Sequence, residues 1–264
     1  MEMRSSSQNR PTSGIGPMKR ILSLASCIFL ALLSQTCLSD QRAIKIIDDV
    51  ENLYRGESSK ATLTMIIETP QYQRTMKMEA KSKGTENAFY RILAPKKDRG
   101  ISTLKLDEEM WNFFPKINKV IKVPPSMMMG SWMGSDFTND DLVKQTTLTE
   151  EYDLTLNETD ELYTIVLVPK QQTITVWGKI DYVINKQHMV PVAQNFYDDD
   201  DELIRKMEFT EIREIAGRMV PTSLTMKPLN KEGHKTIVIY DTLEFDPPDV
   251  NQKVFTLRNL KSRF

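Results

Sequence analysis

From Gly56 onward the chain alternates with a period of two, and this constrains its fold more than any other feature. Leu63, Met65 and Ile67 alternate with Thr62, Thr64 and Ile66, and Met76, Met78 and Ala80 with Thr75, Lys77, Glu79 and Lys81. A strand sends successive side chains to opposite faces, so this pattern is that of half-buried β-structure. Strand-like runs follow at 87–93, 101–106, 109–114, 118–123, 152–156, 162–168, 173–183, 190–197, 203–215, 219–227 and 235–245. Turn residues separate them: Lys83-Gly84, Pro95, Asp107-Glu108, Asn157-Glu158, Pro169, Asn185-Lys186, Asp198 to Asp201, and Asn230 to Gly233. About ten strands with short connections and little helix predict a mainly β fold, an antiparallel meander that curls into a barrel or half-barrel. No long linker or internal repeat interrupts it, so one domain is expected.

The polar faces indicate which way the barrel is turned. A transmembrane barrel is apolar outside, and an ionised group at mid-membrane is costly. Here the alternate faces carry Lys77, Glu79 and Lys81 in one strand and Arg205, Glu208 and Glu211 in another. These are expected to meet water, leaving a greasy interior.

Before Gly56 the period is helical. Ile44, Ile47, Val50 and Leu53/Tyr54 recur every three or four positions, predicting a helix over 41–55 with Asp40 as cap and Gly56 as stop. Further upstream, Lys19 and Arg20 precede the apolar run 21–33, which is of signal-peptide length and short for a bilayer span. Residues 1–39 are therefore expected to be a signal peptide cut after Ser39, with Met18 a candidate start and an uncleaved anchor the alternative. Leu24-Ala25-Ser26-Cys27 looks like a lipobox, but the apolar run continues past it, so Cys27 is not expected to be lipidated. Both cysteines, Cys27 and Cys37, leave with the signal. The mature chain 40–264 then has no disulfide and no thiolate chemistry. Its formal charge changes from -1 to -4 on losing Glu2, Arg4, Arg10, Lys19 and Arg20. Without a basic excess, nucleic acid is not an expected partner.

Residues 111–144 break the alternation. Pro124-Pro125 end a strand, and Met127-Met128-Met129 and Trp132-Met133 follow among Gly130 and Gly134. Thr138 with Asp141 three residues on can cap a short helix entering Leu142. Methionine conforms to ligands of variable shape, so an adaptable lip over an apolar cavity and a plain core plug both fit. A copper site of thioethers fits poorly, since His188 and His234 are distant in sequence.

The same stretch carries a resemblance. Met110 to Lys119, Ser126 to Met129 and Ser131 to Val143 resemble the bacterial outer-membrane lipoprotein-sorting proteins, which are LolA/LolB-like. So do Arg91-Ile92-Leu93-Ala94-Pro95, Val176-Trp177-Gly178-Lys179 and the tail Val254 to Leu260. The resemblance implies an unclosed antiparallel β-barrel with helices over its open face and a cavity for the acyl chains of lipoproteins or lipids. It also implies a periplasmic carrier with transient membrane contact, an inner-membrane transporter as partner, and no cofactor. Trp111, Phe113, Met127, Met128, Met129, Trp132, Met133 and Phe137 are the residues expected to line or gate that cavity. A lid-latching arginine is implied too. Arg74, Arg91 and Arg99 are candidates, each read more simply as a solvated surface residue.

No catalytic pattern competes. His188 and His234 sit beside turn residues, no nucleophile–base pair is legible, and HExxH, P-loop and GxGxxG patterns are lacking. Asp198 to Glu202 lack the glycine punctuation of a calcium loop and read as a hairpin tip. The rival to a carrier is a periplasmic interaction module of a lipid exporter or envelope assembly, docking through an exposed Met–Trp patch and holding no lipid.

Overall fold

The computed structural model describes residues 41–53, 56–144 and 148–262. The expected signal peptide, its start and cut sites, and the Asp40 cap lie outside the described residues.

Among the described residues, thirteen strands form one antiparallel sheet. They are β1 (Ser58–Glu68), β2 (Gln73–Lys83), β3 (Asn87–Ala94), β4 (Ser102–Leu106), β5 (Glu109–Phe114), β6 (Lys119–Lys122) and β7 (Tyr152–Glu158). The rest are β8 (Leu162–Pro169), β9 (Lys179–Asn185), β10 (Val190–Tyr197), β11 (Leu203–Ile215), β12 (Arg218–Pro228) and β13 (Lys235–Phe245). In space they run β6-β5-β4-β3-β2-β1-β13-β12-β11-β10-β9-β8-β7, so the sheet stays open as a half-barrel.

This order has a topological consequence. The two edge strands, β6 and β7, are consecutive in sequence. The connection between them, from Val123 to Glu151, must run from one edge of the sheet to the other. It holds α2 (Asn139–Lys144) and α3 (Leu148–Glu151). The stretch that breaks the alternation is thus the one that bridges the opening.

Strand register fixes the inner face. Leu63 faces Met78 and Tyr240, and Met65 faces Met76 and Val238. Met207 pairs with Gln194 and Met226, and Gln194 with Tyr182. Two apolar clusters cover this face. One gathers Ile165, Leu167, Ile180, Tyr182, Phe196 and Phe209 beneath helix α1 (41–53). The other gathers Leu63, Met65, Met76, Met78, Ile92 and Val238 beneath Trp132. Each large apolar side chain so buried contributes about 1.5–3 kcal/mol.

The α1 stripe that packs is Ala43, Ile46, Ile47 and Val50, whereas Ile44 faces solvent. Gly56, at φ +69°, donates its N–H to Asn52 O at 3.3 Å in a conformation that costs glycine least.

Two expectations need correction. The run 173–183 becomes a strand only at Lys179. A Cβ at Gly178 would collide with Asp198 O, so the chain makes a close backbone approach there, and Ile174 before it is 88% exposed. Arg205 does not meet water either. It shares parity with Met207 and Phe209, points to the inner face, and is 4% exposed.

A third cluster lies on the outer face. Phe89, Leu104 and Phe113, with Trp111 beside them, pack under Val250, Phe255 and Leu260 of the tail, the last on α4 (Leu257–Leu260). Arg91 ties the tail down, donating to Asn259 O at 2.8 Å and to Ser102 Oγ at 3.1 Å. Its burial draws the guanidinium below its ordinary pKa.

Candidate functional site

The bridging connection folds into a small plug. Trp132 N–H donates to Phe137 O at 2.7 Å and Ser135 N–H to Trp132 O at 3.0 Å, closing a tight turn over Met133 and Gly134. Both turn residues have positive φ, 52° and 76°, the pattern of a type I′ turn, which explains the glycine. The Asn139 side chain donates to Met127 O and Gly130 O, each at 3.1 Å, fixing the methionine loop to the start of α2. Thr138 and Asp141 cap that helix reciprocally. Thr138 N–H donates to Asp141 Oδ2 at 2.7 Å, and Asp141 N–H to Thr138 Oγ1 at 3.1 Å.

Five strands hold the plug. Trp132 Nε1 donates to Thr103 Oγ1 of β4 at 3.1 Å, and its ring meets Tyr90 edge-on at 5.0 Å. Arg74 of β2 donates to Met133 O at 3.1 Å and pairs with Asp98 at 2.9 Å. Thr236 of β13 donates to Asp136 Oδ2 at 2.7 Å. Arg205 of β11 makes a two-pronged pair with Asp141, at 2.7 and 2.8 Å. Its guanidinium lies 4.1 Å from the Phe196 ring centre and 4.5 Å from that of Trp177. Of the latch candidates read from sequence, Arg91 and Arg74 are engaged inside the fold and Arg99 is exposed. The arginine that reaches the lid helix α2 is Arg205, missed because its strand was assigned a solvent face.

Beneath the plug lies a cavity of about 140 Å³. Its floor is Leu63, Met65, Val238, Leu224, Met226 and Met207, with Gln194 and Phe196 from β10. Trp132, Phe137, Leu142, Leu148 and Trp177 close it, and Asp140 and Asp141 are at its polar side. A second cavity of the same size shares Leu63, Tyr90, Leu142, Leu224 and Tyr240 with the first and runs on toward Ala61, Ala80 and Leu243. The two therefore abut along the inner face. Tyr152 lines the first cavity, and burial raises its phenol above the ordinary pKa, against a lowering by its hydrogen bond to Thr175.

The eight residues expected at the cavity separate into groups. Trp132 and Phe137 line it. Trp111 and Phe113 point to the outer face, since register places them with Leu104 and Ser102 and away from Thr103. Met133 packs against the cluster under Trp132 and faces a different recess of about 470 Å³. Met127 and Met128 line two separate recesses by the β6 edge, and Met127 is 60% exposed; Met129 is exposed also.

Comparison with known proteins agrees with this geometry. Residues 84–262 match the model of a family described as "Uncharacterized protein". The chain belongs to that family. No curated protein matches it. Among solved structures it is similar to an outer membrane lipoprotein-sorting protein domain from Vibrio parahaemolyticus, with TM-score 0.75 and 19% identity over 84% of this chain and 100% of that one. A DUF1329 family protein from Desulfovibrio piger gives TM-score 0.76 and 19% identity, covering 84% and 99%. A LolA superfamily protein from Nitrosomonas europaea gives 0.67 and 20%, covering 82% and 98%. The fold of this family member is the open LolA-like half-barrel.

Proposed function

We propose that the protein is a periplasmic carrier that takes acyl chains of lipids or lipoproteins into the cavity between the inner face and the plug. The observation that carries this reading is the apolar cavity under a connection pinned to the sheet by Asp141 and the buried Arg205. An apolar recess with a few convergent polar groups, roofed by one chain segment, is the arrangement a chain-binding site needs. The lipoprotein-sorting and LolA-superfamily structures of the same fold support the reading. In this scheme 1–39 is a removed signal and 40–264 the working domain; among the described residues no helix is long and apolar enough to cross a membrane. Membrane contact is then transient, with an inner-membrane transporter as partner. The role is binding and not catalysis.

In this scheme Trp132 and Phe137 are displaced by an entering chain. Met127, Met128, Met129 and Met133 act as the adaptable rim, and Trp111 and Phe113 stiffen the wall from outside. A second reading, a docking module without lipid, draws on exposed Met127, Ile121 and Ile174. Native mass spectrometry of protein purified from its own envelope, with lipid extraction, separates the two. A near one-to-one acyl ligand is expected. An empty protein that also refuses a fluorescent acyl probe refutes the carrier.

A further inference from the structure

We propose that the cavity recognises the neutral carbonyl of an acyl ester or amide, through the side-chain amide of Gln194. The inference rests on the carrier reading and names the ligand chemistry that reading leaves open. Gln194 sits in mid-strand on β10, facing Met207 on one neighbour and Tyr182 on the other. It is 4% exposed and lines the cavity, and its Nε2 donates to no partner among the described residues. Buried side-chain donors are nearly always paired, so one without a partner, on a residue that lines an apolar recess, needs an explanation. A hydrocarbon supplies no acceptor; an acyl group supplies one, at its carbonyl.

Charge selects among the acceptors an acyl ligand can present. Asp140 and Asp141 line the same cavity and oppose a carboxylate or phosphate. The nearby cation, Arg205, already gives two hydrogen bonds to Asp141. The remaining acceptor that fits is uncharged, with its hydrocarbon lying against Phe196 and Met226 and its carbonyl at Gln194. An O-acyl ester and an N-acyl amide share that carbonyl, and they are the two sources to distinguish.

The test is displacement of 1-aminoanthracene from the full mature protein by methyl dodecanoate, N-methyldodecanamide, dodecanoate and dodecyl methyl ether. The ether matches the ester in length and lacks the carbonyl. Wild type is expected to bind the ester or the amide about tenfold tighter than the ether, equal to about 1.4 kcal/mol. The tighter of the two identifies the source. Gln194→Leu is expected to bring ester and amide down to the level of the ether and to leave the ether unchanged. Gln194→Met, closer in shape, serves the same purpose should the leucine variant misfold. Ester preference that survives either variant overturns the proposal, as does wild type that binds ester and ether equally or prefers dodecanoate. If no ligand displaces the probe from wild type, the carrier reading fails and this inference falls with it.

Discussion

Removing Asp141 tests whether the plug is held electrostatically or merely packed. The carboxylate accepts from both terminal nitrogens of Arg205 and from the Thr138 amide, so Asp141→Ala removes an ion pair and a helix cap together. Arg205 is left 4% exposed between two aromatic rings without its counter-ion. Breaking a buried pair from one side costs about 3–5 kcal/mol, and losing a cap about 1 kcal/mol more. In a domain of this size each kcal/mol moves Tm by about 2–4 °C, so a fall of about 10–20 °C is expected. Arg205→Met should cost less, because Asp141 is nearer solvent and keeps its bond from Thr138. The double variant should recover most of the loss, since an apolar replacement of a buried pair is often close to neutral. Urea denaturation of all four proteins gives the coupling, expected at about 2 kcal/mol or more. Hydrogen exchange at 137–144 should also quicken in Asp141→Ala, through local opening. Single-variant losses that add to within about 0.5 kcal/mol would refute the latch, because groups 2.7 Å apart that matter to one another cannot be additive.

Trp132→Ala should destabilise by about 3–5 kcal/mol, while Trp132→Phe, which gives up the bond to Thr103 and keeps most of the packing, should cost about 1 kcal/mol, both read by denaturant titration. Gly134→Ala should cost about 1 kcal/mol on the same assay, since its φ of +76° is unfavourable to a Cβ although the nearest atom, on Arg74, is at an ordinary 3.4 Å. Tyr152 gives a pH signature. Burial raises its folded pKa above the unfolded value, so above about pH 10 the unfolded state loses its proton first and stability falls as pH rises. Tyr152→Phe should flatten that alkaline decline and leave neutral-pH stability nearly unchanged, as thermal melts across pH 8–11 will show.

Alternation made the strands legible because at least one face of each is buried, and the neighbour pairing within β1–β6 and within β7–β13 followed from short turns. What alternation cannot tell is which polar residue on the inner parity is retained there by a partner. Arg205 lies two residues from Met207 and looks like its charged neighbours Lys206 and Glu208, yet Asp141 from 64 positions away gives it reason to be inside. Trp111 and Phe113 misled for the opposite reason. The outer face of β3–β5 is also apolar, because the tail folds over it, and a strand buried on both faces gives no parity signal. The capping pair Thr138–Asp141 was readable since it is local. The methionines carried composition without direction, and only the β6-to-β7 connection puts them at the rim.

The size of the cavity sets how a carrier of this shape can both hold and release. A dry cavity of about 150 Å³ accommodates a benzene-sized body, so the recess of about 140 Å³, even with the abutting one of the same size, has room for part of an acyl chain and not for its length. Each further methylene removed from water is worth about 0.8 kcal/mol, or about fourfold in Kd. That gain is available only if the plug gives way, and lifting it breaks the bonds at Thr103, Thr236, Arg74 and Arg205. In a series of methyl esters from six to sixteen carbons, wild type should therefore gain about fourfold per carbon at first, then little, then resume once burial exceeds the cost of opening. Asp141→Ala, with its plug already loosened, should show the full increment throughout and bind the longest chains more tightly than wild type. A wild-type series that is linear to sixteen carbons would mean that the plug opposes nothing and that release must be driven from outside the fold.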